Sequence, residues 1–469
     1  MRRGVAGVLA AGILLGGCRI PVQPAPKPTL SVPLAWRGQV AVGPGAGAPV
    51  ERAWWKAFGD PVLDNLVAAA LAHNGDVRSA QARLQEYRAR IRVAEAVEQP
   101  QLNFNLQPGR AQSIGPFGTP QLSTLIQGGV QASYEIDPFG RTENAIEAAR
   151  YDLAAQQAAA DATALSVAAS VANGYLNLRG LDAQLELARE TLATRQKSTE
   201  LARHEFEVGY TSRLEVNQSE SEFRSTAQSV PQLERSIEQQ ENALSLLTGS
   251  NPGPVARGTA LARLQPPAIA PGLPSQLLRR RPDIAQAENA VAAADANLAA
   301  ARDQLLPAIN LTASAGLYQF GLHDLLTSPY RLWSVGGSVL GPILDGGRRR
   351  AQAEISASTR DRAVFAYEST VRNAFSETEN ALTAIQRLRE QLAQAEARRV
   401  VTAEALRIAH NRYRNGYSSY LDELDSQRNA YNAENAVLQL KASYLQAHVD
   451  LYRALGGGWQ APAREAGAK

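Results

Sequence analysis

The sequence predicts a mixed α+β membrane protein written twice in one chain, whose strands close a barrel only when shared among several copies. Three observations carry that prediction. Identities recur at one offset of 207 residues: Asp76 with Asp283, Pro100 with Pro307, Asn103 with Asn310, Gly140-Arg141 with Gly347-Arg348, Gly209 with Gly416, Leu214 with Leu421, Ser219 with Ser426 and Gly249 with Gly456. Each copy holds two segments of about ten residues, the length of a tilted membrane strand. Each copy also holds a proline-free run, Arg141 to Val208 and Arg348 to Asn415, which at 1.5 Å per residue makes a rod of roughly 100 Å. A period this long exceeds that of solenoid repeats, so each copy is a whole structural half.

Arg2 and Arg3 precede the apolar run "GVAGVLAAGILLGG". The run is too short to span a bilayer and has the form of a secretory signal peptide over 1–17. The single cysteine, Cys18, excludes an intramolecular disulfide framework. "LGGC", ending at Cys18, resembles a bacterial lipobox. That resemblance implies cleavage before Cys18 and acylation there, with S-diacylglycerol and N-palmitoyl groups. Arg19 in place of the retention signal Asp favours the outer membrane. Residues 18–60 are expected to form a lipid-anchored, extended segment. Its "GPGAGAP" lacks the Lys-Ser/Thr of a phosphate loop.

The first half, 61–250, begins with a helical pattern over 62–98, stopped by Pro100. "QLNFNLQ" then alternates, with Leu102, Phe104 and Leu106 on one face and Asn103, Asn105 and Gln107 on the other, as a half-wetted strand does. "PGRAQSIGPFGTP" is expected to be a loop, followed by a second strand near 123–136. Along the first rod Val171, Tyr175, Leu178, Leu181, Leu185 and Leu192 recur three, four or seven apart. Helices this long call for coiled-coil packing. Gly174 and Gly180 weaken the rod by up to ~1 kcal/mol each, with no evident gain in the sequence. "VGYTSRLEV" reverses the chain into a return helix, 213–247, ended by Gly249.

A Pro/Gly-rich linker, 251–275, leads to the second half, 276–457. There a helix over 283–304, strands at 308–318 and 330–340, the second rod, the turn "NGYSSYLDE" and a return helix over 420–455 follow in the same order. Gly456 ends the last helix, and 458–469 form a tail.

Four strands cannot close a barrel alone, and an open edge in lipid leaves backbone groups unsatisfied. Eight is about the smallest number that closes. Three copies would supply twelve strands, with rods and return helices arranged as a helical barrel wetted on both surfaces.

"WWKAFGDPVLDNLVAAALAHN" (54–74), "LLRRRPDIAQAE" (277–288), "GPILDGGRRRAQ" (341–352) and the two turns resemble the outer membrane factor family. Within it the chain resembles the TolC-like channels of the lipoprotein (NodT-type) branch associated with RND efflux pumps. The resemblance implies a homotrimeric 12-stranded β-barrel in the outer membrane, continued by a periplasmic α-helical barrel. It implies an exit duct for small toxic compounds such as drugs, in partnership with a periplasmic adaptor (membrane fusion) protein and an RND-type inner-membrane transporter. Val208, Gly209, Tyr210 and Thr211, and Asn415, Gly416, Tyr417 and Ser418, are then the tips that dock the adaptor. Leu421 and Asp425 match constricting positions of the family's periplasmic entrance, and Arg428 matches a residue that ties the closed state by ionic bonds. Asp422 and Asp425, three apart on a helix, share a face and in a trimer repeat as two rings of carboxylates. Gly209 and Gly416 permit a tight reversal, and Thr211, Ser212, Ser418 and Ser419 can cap the returning helices.

A net charge of +3 calls for no nucleic acid. His73, His204, His323, His410 and His448 have no metal or catalytic spacing, so neither an enzyme nor a resident cofactor is expected. His410 is expected at an exposed tip. The "RRR" runs at 279–281 and 348–350 are expected at helix ends, the latter near the barrel–helix junction, where Arg snorkels toward headgroups. Competing functions are the outer-membrane channel of a type I protein secretion system, a structural trimeric coiled-coil lipoprotein without transport, and the adaptor itself, which lacks paired strands.

Overall fold

The computed structural model describes residues 24–27, 29–38, 51–319 and 330–461. The expected signal peptide 1–17, Cys18, His323 and most of the expected tail lie outside the described residues. The elements are α1 (Pro61–His73), α2 (Gly75–Glu95), β1 (Gln101–Ile114), β2 (Pro120–Ile136), α3 (Arg141–Glu207), α4 (Arg213–Leu247), the single turn α5 (Pro274–Leu277), α6 (Pro282–Asp303), β3 (Ala308–Gln319), β4 (Tyr330–Leu340), α7 (Arg348–Arg414) and α8 (Tyr420–Ala454). Helices α3 and α7 both run 67 residues, and α4 and α8 both run 35. Both ends of each pair keep the 207-residue offset of the sequence.

Two expectations are corrected. The helix expected over 62–98 breaks at Asn74, whose side-chain oxygen accepts the N–H groups of Asp76 (2.9 Å) and Val77 (3.3 Å) and so starts α2 as a new helix. The Asn74 amide also donates to the carbonyl of Leu247 (2.9 Å). The loop expected from residue 108 is strand as far as Ile114. Pro108 lies on the strand at the edge of the sheet, where a residue without an N–H is tolerated.

The chain divides into two compact units. The first takes the described residues up to Thr29, Leu84–Gln156 and Ala287–Glu368; the second takes Leu30–Arg83, Gln157–Gln286 and the described residues from Ser369 onward. The first unit carries one four-stranded antiparallel sheet in the order β1-β2-β3-β4. Residues opposite each other in the ladder share a face, so the register sorts every side chain. One face carries Leu102, Phe104 and Leu106 of β1, Ile126, Val130, Tyr134 and Ile136 of β2, Ile309, Leu311 and Leu317 of β3, and Trp333, Val335 and Val339 of β4. The other carries Asn103, Asn105, Gln107, Gln127, Gln131, Ser133, Asn310, Thr312, Ser314, Ser334 and Ser338. From Ile136 to Ile126 is roughly 33 Å of strand. A tilt of about 40° leaves about 25 Å, the height of the apolar band on an outer-membrane barrel. Phe104, Trp333 and Val335 are 74%, 78% and 75% exposed in the single chain, as lipid-facing side chains must be.

Each rod starts where a carboxylate gathers backbone donors. The Asp137 side chain accepts the N–H of Arg141 (2.9 Å) and of Thr142 (2.6 Å). Burial alone would raise its pKa, but these backbone donors hold it below the usual carboxylate range. Asp345 does the same for α7 through the N–H groups of Gly347 and Arg349.

In the second unit, fully buried Asp60 accepts the N–H of Val62 (2.9 Å), the hydroxyl of Tyr175 (2.8 Å) and the N–H of Thr259 (2.9 Å). One carboxylate therefore caps α1 and ties the linker to the first rod. Gly174 and Gly180 now have a reason. A Cβ on Gly174 would lie 2.9 Å from Gln240 and 3.1 Å from Leu244 of α4, and one on Gly180 would lie 3.0 Å from Ala442 of α8. Their absent side chains let α3 meet both return helices.

His448 of α8 is 6% exposed and donates from Nδ1 to the carbonyl of Tyr444 (2.8 Å). Burial lowers its pKa, partly offset by that carbonyl. The unfolded chain therefore takes up a proton first, and the stability this histidine contributes is present above its ordinary pKa near 6.5. It is lost as pH falls through the lower folded value. A His448→Gln variant is expected to show a shallower decline in melting temperature between about pH 7 and pH 5; an unchanged slope would contradict the assignment.

Candidate gate and docking tips

The two turns are built alike. Gly209 and Gly416 sit in the left-handed region (φ 82° and 73°), the conformation that lets the helix end and reverse. The N–H of Tyr210 donates to the carbonyl of Glu205 (2.8 Å), and that of Tyr417 to Arg412 (2.8 Å). Ser212 caps α4 through the N–H of Glu215 (3.3 Å), and Ser419 caps α8 through the N–H of Asp422 (3.4 Å). Tyr210 and Tyr417 project into solvent, 87% and 76% exposed, and Val208 is exposed too.

The turns differ in what surrounds the cap. Thr211 donates to the Glu215 carboxylate, whereas the hydroxyl of its counterpart Ser418 is buried with no hydrogen-bond partner among the described residues. Asn415 turns its amide back onto the carbonyl of Asn411 (2.7 Å). Arg203 ties the first hairpin through Glu220. Its counterpart in the second copy is His410, half-exposed, with Nδ1 2.8 Å from the buried Glu423 carboxylate. The Tyr413 hydroxyl faces Glu215 across the hairpins at 3.4 Å. Burial, then the carboxylates of Glu205, Glu215 and Glu423, push its pKa up and keep it a donor.

The gate candidates separate. Asp422 and Asp425, expected as two rings of carboxylates, have different local surroundings. The Asp422 carboxylate bends back to accept the N–H (3.1 Å) and hydroxyl (3.0 Å) of Ser419. This is a reciprocal capping box, spelled by Ser419-x-x-Asp422 in the sequence. Asp425 stays exposed and pairs with Arg428 at 3.4 Å, and Leu421 is 49% exposed.

Arg428 finds its main partner elsewhere. Its Nε donates to Oε1 of Glu222 in α4 (2.8 Å), and a second guanidinium nitrogen reaches the same oxygen. The other Glu222 oxygen lies 2.9 Å from Arg195 of α3. The Arg195 side chain is 8% exposed and also donates to the backbone carbonyl of Glu222 (3.1 Å) and to the hydroxyl of Thr226 (2.5 Å). One carboxylate thus joins α3, α4 and α8. Glu222 and Arg195 belong to none of the sequence motifs. A signal was present: Ser219, Glu222 and Thr226 form a buried polar stripe at helical spacing where apolar residues would be expected.

Of the arginine runs, Arg281 is buried at the start of α6 between Asp283 (2.6 Å), Glu377 (2.9 Å) and the carbonyl of Ala454 (3.0 Å). Arg348 to Arg350 open α7, with Arg349 held by the carbonyl of Gln304. No group of three or more His, Cys, Asp and Glu among the described residues could hold a metal ion.

Comparison with known proteins gives a consistent result. The family described as outer membrane efflux protein matches twice, over residues 66–250 and 273–457. The toluene efflux pump outer membrane protein TtgC of Pseudomonas putida is 33% identical over 470 residues, covering 98% of this chain and 96% of that one. The cation efflux system protein CusC of Escherichia coli is 33% identical over 410 residues, covering 87% of this chain and 88% of that one. Among solved structures, the outer membrane channel CmeC of Campylobacter jejuni superposes with a TM-score of 0.86 at 25% identity, covering 94% of this chain and 95% of that one.

Proposed function

This chain belongs to the outer membrane efflux protein family, and on that footing we propose that three copies assemble into the passive exit duct of a tripartite efflux pump. The observation that carries the reading is the sheet. It has a continuous apolar face about one membrane tall, a polar face opposite, and two unpaired edges, β1 and β4. Edges in lipid must be paired. The β4 edge of one copy meeting the β1 edge of the next satisfies both, and three copies close twelve strands around a polar lumen. The long helix pairs continue the duct into the periplasm.

The tips meet a periplasmic adaptor, which links the duct to an RND-type transporter in the inner membrane. Exposed Val208, Tyr210 and Tyr417 supply apolar contact. The Glu222–Arg428 tie holds the entrance shut at rest, with Leu421 as the apolar constriction and Asp425 as a weaker second partner. One relative is named for toluene and another for cations at the same identity to this chain. Cargo selection therefore belongs to the transporter rather than to the duct wall.

A lipid on Cys18 fits the geometry of the segment behind it. The Pro24 carbonyl accepts from Arg360 (3.4 Å), and the Thr29 N–H donates to Glu368 (2.8 Å). Arg360 is about 18 Å along α7 from its start below the sheet. The six residues from Pro24 back to Cys18 span up to about 20 Å, enough to reach the membrane surface.

The test is isolation from native membranes after crosslinking, with metabolic labelling by a fatty acid. The reading expects an adaptor and an RND-type transporter to accompany the chain, and the label to vanish in Cys18→Ser. Recovery with a protein-secretion ATPase instead would assign the duct to type I secretion. An unlabelled wild-type chain would remove the anchor.

A further inference from the structure

Outside its periplasmic end, where Glu135 stands, the described sheet carries only two charges, Arg110 on β1 and Arg331 on β4. Both are exposed. Both lie on the apolar, outward face: Arg110 is in phase with Leu102, Phe104 and Leu106, and Arg331 is opposite Leu317 and in phase with Trp333 and Val335. Each ends the outward apolar run of its own strand. Counting away from the helices, β1 presents Leu102, Phe104, Leu106 and Pro108, then Arg110. In the same direction β4 presents Val339, Gly337, Val335 and Trp333, then Arg331. Neither forms an ion pair among the described residues, and no carboxylate from the described strands faces them.

Arg331 shares its row with Leu317, Gly128 and Leu106, and Arg110 lies two same-face rows further out; from both positions a long guanidinium side chain snorkels toward the headgroups of the outer leaflet. The two strands that carry the pair are the edge strands. When copies close the barrel, β4 of one lies beside β1 of the next, so each seam brings one Arg110 and one Arg331 onto neighbouring strands. Two unpaired guanidiniums on adjacent strands suit phosphate, which each can grip with two parallel N–H donors. We propose that the outer rim of each seam binds a phosphate group of the glycolipid that forms the outer leaflet, so that lipid staples the junction between copies. The inference rests on the shared-barrel reading and is independent of the gate.

The test uses the intact trimer in mild detergent, with diphosphoryl lipid A and its dephosphorylated form as probes, read by native mass spectrometry and thermal shift. Wild type should bind the phosphorylated form more tightly and be stabilised by it, with the effect shrinking at high salt. At about 1 kcal/mol per basic residue near an anionic surface, Arg110→Gln with Arg331→Gln should weaken binding by roughly tenfold or more. Arg110→Lys with Arg331→Lys should keep most of it. Bilayer conductance of the variants should stay at the wild-type value, which also certifies their fold. Equal binding of the two lipid forms by wild type, or wild-type affinity in the double Gln variant, overturns the proposal. Should the Gln variant fail to fold, a salt-independent wild-type affinity does so instead. A wild-type protein that neither assembles nor conducts would count against the barrel reading.

Discussion

Replacing Arg428 by Ala raises the conductance of the resting channel in planar bilayers while leaving its melting temperature nearly unchanged. The reasoning lies in how Glu222 divides its charge. Arg428 is 45% exposed at its side chain, so losing its pair costs little stability in water. What it does hold is position, joining α8 to α4 just beyond the second turn. Glu222→Gln should behave differently. It releases Arg428 and also leaves Arg195, 8% exposed, without its carboxylate. Breaking a buried pair from one side costs about 3 kcal/mol or more. That variant should therefore both conduct more and melt lower. Asp425→Ala should change conductance least of the three, since its contact with Arg428 is longer and open to solvent. If Arg428→Ala leaves the resting conductance at the wild-type value, the tie is structural and the gate assignment falls.

Ala315→Arg should abolish assembly in the outer membrane, whereas Ser314→Arg, one residue away, should still assemble. Ala315 lies in the row of Phe104, Val130 and Trp333, in the middle of the apolar band. Arg at such a depth costs about 2–4 kcal/mol per site, and three copies incur it three times. Ser314 faces the other way and shares a hydrogen bond with Ser334 (2.8 Å) on the polar face, where an arginine would meet water. Heat-resistant trimer on gels of outer-membrane fractions reads both outcomes. Equal assembly of the two variants would mean that the faces are misassigned.

Much of this architecture is legible in the sequence because duplication writes each boundary twice. Gly140-Arg141 and Gly347-Arg348 open rods of equal length, and Gly249 and Gly456 close the return helices. Alternation in "QLNFNLQ" identified the first strand and its faces. What the sequence obscured were local contests between side chain and backbone. Asn74 interrupts a helix that periodicity alone would continue. Gly and Pro in residues 108–114 suggested a loop, yet the ladder with β2 holds that segment as strand. The Asp422 carboxylate, on the same helix face as Asp425, is drawn back to Ser419 by its capping box. Glu222 is not legible from the duplication because its partner Arg428 lies 206 residues away, one short of the repeat. Gly174 and Gly180 are intelligible only once Leu244 and Ala442 are seen against them.

The central claim is that sheet edges unpaired within one chain are paired between chains. Light scattering of the purified protein in mild detergent, with detergent mass subtracted, tests it most directly. The account predicts a particle of three chains, each slightly lighter than the 50.3 kDa of the full sequence, that inserts into planar bilayers and conducts. A particle of one chain mass that conducts equally well would contradict it.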